Sequence, residues 1–117
     1  MIPSINSNIS ALKAFGKKMG VTANNVANVE SEEFKKSRAV LTEGAQKEVR
    51  VEIEKIETSG PIVSEIKDGK VVEKELSNVD LVEEIPQTII AQRSFEANLK
   101  SIQAQEETLD SLFDIIG

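Results

Sequence analysis

The side chains in this sequence able to do chemistry are almost all carboxylates and amides. Twenty Asp and Glu stand beside fourteen Lys and Arg, with no cysteine and no histidine. Without thiol or imidazole, Ser-His and Cys-His nucleophilic pairs and the usual zinc ligand sets are excluded, as is a disulfide framework. Carboxylate clusters remain, Glu83-Glu84 and Glu106-Glu107 with Asp110, at helical spacing. General acid–base work needs such groups converging in a cleft with perturbed pKa values. Neighbours along one long helix make no cleft, so these read as solvated surface. No glycine loop of the phosphate-binding kind is present. The residues point away from an enzyme, and neither a cofactor nor a metal is expected.

The amides are more unusual. Asn24-Asn25-Val26-Ala27-Asn28 puts three asparagines in five residues, although Asn competes for backbone groups and is a poor helix former. One of them can end a helix in the left-handed region, leaving the others free to bond a neighbouring helix. The alternative is a frayed terminus with solvated amides.

These asparagines close a periodic segment. Ile5, Ile9, Leu12, Gly16, Met19, Ala23 and Val26 recur at alternating four- and three-residue steps, a heptad seam. It predicts a helix over 5–29, capped by Asn6 or Ser7 and roughly 37 Å long, after a loose lead-in at 1–4. Gly16 and Ala23 would admit close approach by another helix. The Asn8-Ile9-Ser10 sequon lies inside this helix and reads as incidental.

A longer seam occupies 78–116. Phe95, Leu99, Ile102, Glu106, Leu109, Phe113 and Ile116 alternate steps of four and three, and Val82, Ile85, Ile89 and Gln92 lead into them. The step from Gln92 to Phe95 is three where four is due, which shifts the pairing locally. Such a helix is roughly 58 Å long, too long for a domain this size to bury, so it needs a partner. Pro86 should kink it.

Composition agrees. Hydrophobic residues make 39% and aromatic ones 3% of 117 residues, lean for a globular core yet too periodic for a disordered chain. Residues 1–40 carry six Lys or Arg against three Glu, and residues 41–117 carry eight against seventeen acids. That asymmetry is either two solvated faces or head-to-tail attraction between subunits. Basic residues are few and no aromatics interleave with them, so nucleic acid is not an expected partner. No basic-then-apolar leader opens the chain, and no apolar run approaches the ~20 residues of a bilayer span, so direct membrane insertion is not expected.

Between the seams, Val49, Val51 and Ile53 alternate with charges as in an exposed strand. Ser59-Gly60-Pro61 then punctuates the chain. Ile62–Ile66 and Val71–Leu76 flank Lys67-Asp68-Gly69-Lys70, and Asp-Gly between β-prone runs predicts a type I′ hairpin.

The segment SALKAFGKKMGVTANNVANVESEEFKKS resembles the N-terminal motif of the flagellar rod and hook axial protein family. SNVDLVEEIPQTIIAQRSFEANLKSIQAQEETLDSLF is similar to that family's second signature, with NVDL, AQR and FEAN in place. Together they cover about two-thirds of the chain, one at each end. The family's turn reads T-x-G-F-K, whereas Ser31-Glu32-Glu33-Phe34-Lys35 has Ser for Thr and Glu for the glycine that supplies positive φ. The short middle resembles the smallest, proximal-rod members. The resemblance implies a structural subunit of the bacterial flagellar basal-body rod, serving flagellum-dependent motility. It further implies a periplasm-spanning location reached through the flagellar type III export apparatus, and partners that are itself and other axial proteins. A soluble helical adaptor or export regulator that never polymerises is the alternative.

The expected fold is mainly α over a single 1–117 domain. Its N- and C-terminal helices form an antiparallel, coiled-coil-like pair, with a small β-hairpin region at 30–77. Expected pairing and assembly residues are Leu12, Phe15, Met19, Asn25, Val26, Asn28 and Phe34 in the first half. In the second they are Gln92, Arg93, Phe95, Asn98, Leu99, Ile102, Leu109 and Phe113. A polar lock is expected in which Asn25 or Asn28 reaches the second helix between Thr88 and Asn98, at Gln92 or beside Arg93.

Overall fold

The computed structural model describes residues 2–116, with side chains from Ile5 onward. Helix α1 (Ile2–Ala27) is followed by strands β1 (Ser37–Glu43) and β2 (Val49–Lys55), β3 (Ile62–Lys67) and β4 (Lys70–Glu75), and then helix α2 (Leu81–Ile116). β1 with β2, and β3 with β4, form two separate antiparallel hairpins.

The expected mainly α fold of paired helices with a small β region is therefore incorrect. Two hairpins with strands of six or seven residues fill the middle of the chain beside helices of 26 and 36 residues. The added strand is β1. Its Ala39-Val40-Leu41 run shows neither helical nor alternating period, and all three residues are half-buried.

α1 starts earlier than its seam suggested. Ile2–Ser4 are helical, since Pro3 in the first turn lacks only an N–H that has no helical acceptor there. Met1, also in the expected lead-in, lies outside the described residues. Ser7 lies inside α1 and does not cap it. The Ser7 hydroxyl donates to Lys47 C=O at 3.3 Å, and Ser10 Oγ accepts the Val49 N–H at 3.0 Å. These bonds pin the tip of the first hairpin, while Asn25 holds its base (below), so the ribbon lies along α1 over most of the helix.

The ladder has a definite parity. Gly44 N–H bonds Glu48 C=O and Ile56 N–H bonds Lys36 C=O, so even-numbered residues of β1 face β2. Ser37 and Val49 then point their backbone groups outward, where Asn25 and Ser10 meet them. In the second hairpin both turn residues have positive φ, Asp68 at 52° and Gly69 at 76°, the type I′ geometry that Asp-Gly favours. This ribbon packs on neither helix nor on the first hairpin and projects from an 83 × 25 × 17 Å molecule.

α2 begins at Leu81, not at Asn78. Asp80 is its N-cap, accepting the Val82 N–H at 2.9 Å, and Glu83 and Glu84 in the first turn suit the helix dipole. The helix continues through Pro86 to Ile116. α1 and α2 are antiparallel neighbours: Gly16 lies by Phe95 and Asn25 by Glu84.

Candidate functional site

Where the two helices and the first hairpin meet, a junction of amides replaces an apolar core. Asn25 is 1% exposed. Its Nδ2 donates to Ser37 C=O at 2.8 Å and to Glu84 Oε2 at 3.3 Å, and its Oδ1 accepts Ser37 N–H at 3.0 Å. The amide thus acts as a one-residue strand along the outer edge of β1. On the other side of the same residues, Asn78 Oδ1 accepts Lys36 N–H at 2.6 Å while its Nδ2 donates to the carbonyls of Ile56 and Thr58. Direct pairing of Lys36 with Ile56 is completed through that amide. Asn78 N–H also reaches Phe34 C=O, and Lys36 Nζ meets Glu83 at 2.8 Å. Two side-chain amides, one from each terminal signature, clamp the start of β1 between the helices.

The free hairpin is tied down at its root. Lys35 pairs with Glu75, whose carboxylate also takes the Gly60 N–H at 3.0 Å. Lys74 bridges Glu32 at 2.8 Å and Glu65 at 3.7 Å. The Lys35 hydrogen bond holds Glu75 below the usual carboxylate range, and the Lys74 bond does the same for Glu32. Lys74 is raised in turn, chiefly by Glu32. Gly60 is required there, because a Cβ on it would stand 2.0 Å from Leu76 O. Glu33 takes φ 58° without being glycine, so the departure from the family turn leaves its left-handed backbone in place.

The expected polar lock forms elsewhere. Asn25 reaches α2 at Glu84, outside Thr88–Asn98. Asn28 bonds only locally, to Asn24 and Ser31. Gln92 pairs with Glu96 at 3.3 Å, and Arg93 is exposed. None of the three asparagines is left-handed; α1 closes by N–H bonds from Asn28 to Asn25 C=O and from Val29 to Val26 C=O.

The inward face of α2 also differs from its apolar seam. Glu84, Thr88, Ala91, Phe95, Asn98, Ile102, Gln105 and Leu109 are buried or half-buried at steps of four and three without a slip, with Ser94 half-buried beside Phe95. Only Phe95, Ile102 and Leu109 belong to both series. Asn98 Nδ2 bonds Ser94 C=O within its helix. On α1 the most buried residues are Ala11, Ala14, Thr22 and Asn25. Leu12, Phe15 and Met19 beside them, like Phe34 in the turn, are half-buried. The helices approach on small and polar side chains, which hydrophobic periodicity does not register; Glu84, expected in solvent with Glu83, is buried instead because it faces Asn25, Ser37 carried no signal, and Asn78 only its place in NVDL.

The apolar seam is left open. Val82 is 80% exposed, Ile85 and Ile89 52% each, Phe113 69% and Ile116 80%, and Val26 and Leu99 are exposed as well. A groove of ≈ 620 Å³ runs between α1, β1 and the start of α2. Among the described residues no three His, Cys, Asp or Glu are grouped to hold a metal ion, and no helix is long and apolar enough to cross a membrane. The chemistry this surface offers is adhesion.

Comparison with protein families gives two matches. Residues 5–35 match the family described as flagella basal body rod protein. Residues 74–115 match the flagellar basal body rod FlgEFG protein C-terminal family. No curated protein matches the chain. The two matched segments contain both amides of the junction and nearly all of the open apolar seam.

Proposed function

This chain belongs to the flagellar basal-body rod proteins and is a structural component of the flagellar basal body, and from that premise we propose that it polymerises through the open seam of α2. The carrying observation is that α2 has two faces. One is satisfied against α1 within the subunit, while Val82, Ile85 and Ile89 stand exposed in a row on another. Burying an aliphatic side chain of this size contributes about 1.5–3 kcal/mol, so the exposed parts of these three supply several kcal/mol at each contact. The junction at Asn25 and Asn78 fixes the angle at which that face is presented. In this reading the partners are copies of itself and other axial proteins. The flagellar type III apparatus exports it, and its assembly supports motility; both points rest on the family and not on a feature of the fold. Rod proteins are structural rather than enzymatic, and the surface is consistent with that.

Sedimentation velocity on the purified chain tests the proposal. The wild-type protein should associate in an open-ended, concentration-dependent way, and an Ile85→Asp/Ile89→Asp variant should stay monomeric with unchanged far-UV circular dichroism. A wild-type species that stops at a small closed oligomer would favour the soluble adaptor instead.

A further inference from the structure

A second apolar surface lies apart from the Ile85–Ile89 row. Leu109, Leu112, Phe113 and Ile116 fall at i, i+3, i+4 and i+7 on the last turns of α2, the spacing of a helix that seats in a groove. Leu112, Phe113 and Ile116 are exposed. Counting from the Gly16–Phe95 contact, Leu109 lies level with Ile2 and is half-buried, whereas the turn that carries Leu112, Phe113 and Ile116 runs beyond that level. Asp110 and Asp114 run along one flank of this stripe, one turn apart, and the last turn holds no basic residue.

The ≈ 620 Å³ groove has the complementary character. Val21, Val40, Val82 and Pro86 supply apolar walls, and Lys18 and Arg38 line it as well. Its other charges are already engaged, Lys36 with Glu83 and Glu84 with Asn25. Among the described residues neither Lys18 nor Arg38 has an ion-pair partner, and neither do Asp110 and Asp114.

We propose that the last turns of α2 from a second copy seat in this groove, with the Leu109–Ile116 stripe against Val21, Val40 and Pro86 and with Asp110 and Asp114 facing Lys18 and Arg38. Groove and helix end are different surfaces of one chain, so the contact is heterologous and propagates head to tail. It gives the charge asymmetry between the two parts of the chain a direction: the acidic end of one subunit finds the basic groove residues of the next. The inference rests on the rod reading but uses residues other than Ile85 and Ile89.

Charge exchange in the full chain tests it. Lys18→Glu/Arg38→Glu and Asp110→Lys/Asp114→Lys alter exposed or half-exposed positions, and circular dichroism checks that each variant stays folded. Each should self-associate about tenfold more weakly than wild type at low salt, and an equimolar mixture should recover to within about threefold. A mixture no tighter than either variant alone, or variants that associate like wild type, would overturn the docking. If that happens while Ile85→Asp/Ile89→Asp still blocks association, the rod reading stands without this contact. A wild-type chain that stays monomeric at every concentration would overturn both.

Discussion

Replacing Asn25 by Ala removes three hydrogen bonds at a site that is 1% exposed. Ser37 N–H, Ser37 C=O and the Glu84 carboxylate each lose a partner, and a buried polar group left unpaired costs about 1–3 kcal/mol. Ser37 is only half-buried, so water recovers part of that loss at its two backbone groups. Ala is the better helix former, which returns about 0.5 kcal/mol. The net loss should be about 2–4 kcal/mol, measured by urea unfolding followed at 222 nm. Asn28→Ala is the internal control. Its amide bonds only Asn24 and Ser31 nearby, so that change should fall within about 0.5 kcal/mol of wild type. An Asn25→Ala protein as stable as wild type, or an Asn28→Ala protein that loses as much, would refute the clamp.

Gly16→Ala places a Cβ 3.9 Å from the Phe95 ring, an ordinary contact, and removes a helix-interior glycine. Thermal melts should show a gain of about 0.5–1 kcal/mol. Gly60→Ala should do the opposite at the root of the second hairpin. Its Cβ would collide with Leu76 O, so exchange of the Leu76 amide, bonded to Pro61 C=O, should quicken while α1 amides are unchanged. The same root should respond to acid. Glu75 and Glu32 lie below the ordinary 4.5 when folded, so their contribution is full above that value and fades as pH falls through the folded pKa. An NMR titration of the Gly60 amide should therefore move below pH 4.5, and Lys35→Met should shift its midpoint upward.

What the sequence disclosed depended on how local each signal was. Asp68-Gly69 announces its turn because both residues must adopt positive φ, whatever lies around them. The period of α2 was legible too, but its inward face was not. Hydrophobic spacing picks out Val82, Ile85, Ile89 and Leu99, and those are the residues a lone subunit leaves in water. The face turned to α1 is written in Ala91, Thr88, Asn98 and Glu84, which a hydrophobicity pattern discards. Asn25 stood out by composition, yet its true partner is the backbone of Ser37. That contact exists only once β1 has formed, and β1 shows no period of its own. Asn78 looked like the first residue of a helix because Asp80, two residues on, is the actual cap. The family signatures carried these residues without giving their reasons, and the geometry supplies them.

The central claim is that this chain builds the rod through the open seam of α2. Electron cryotomography of basal bodies tests it in flagellated cells of the source strain whose only copy of the protein carries Ile85→Asp/Ile89→Asp, a change that leaves the junction and the inward face of α2 untouched. Rods should be missing or truncated in those cells, as in cells lacking the protein altogether. Full-length rods in either strain would contradict the account.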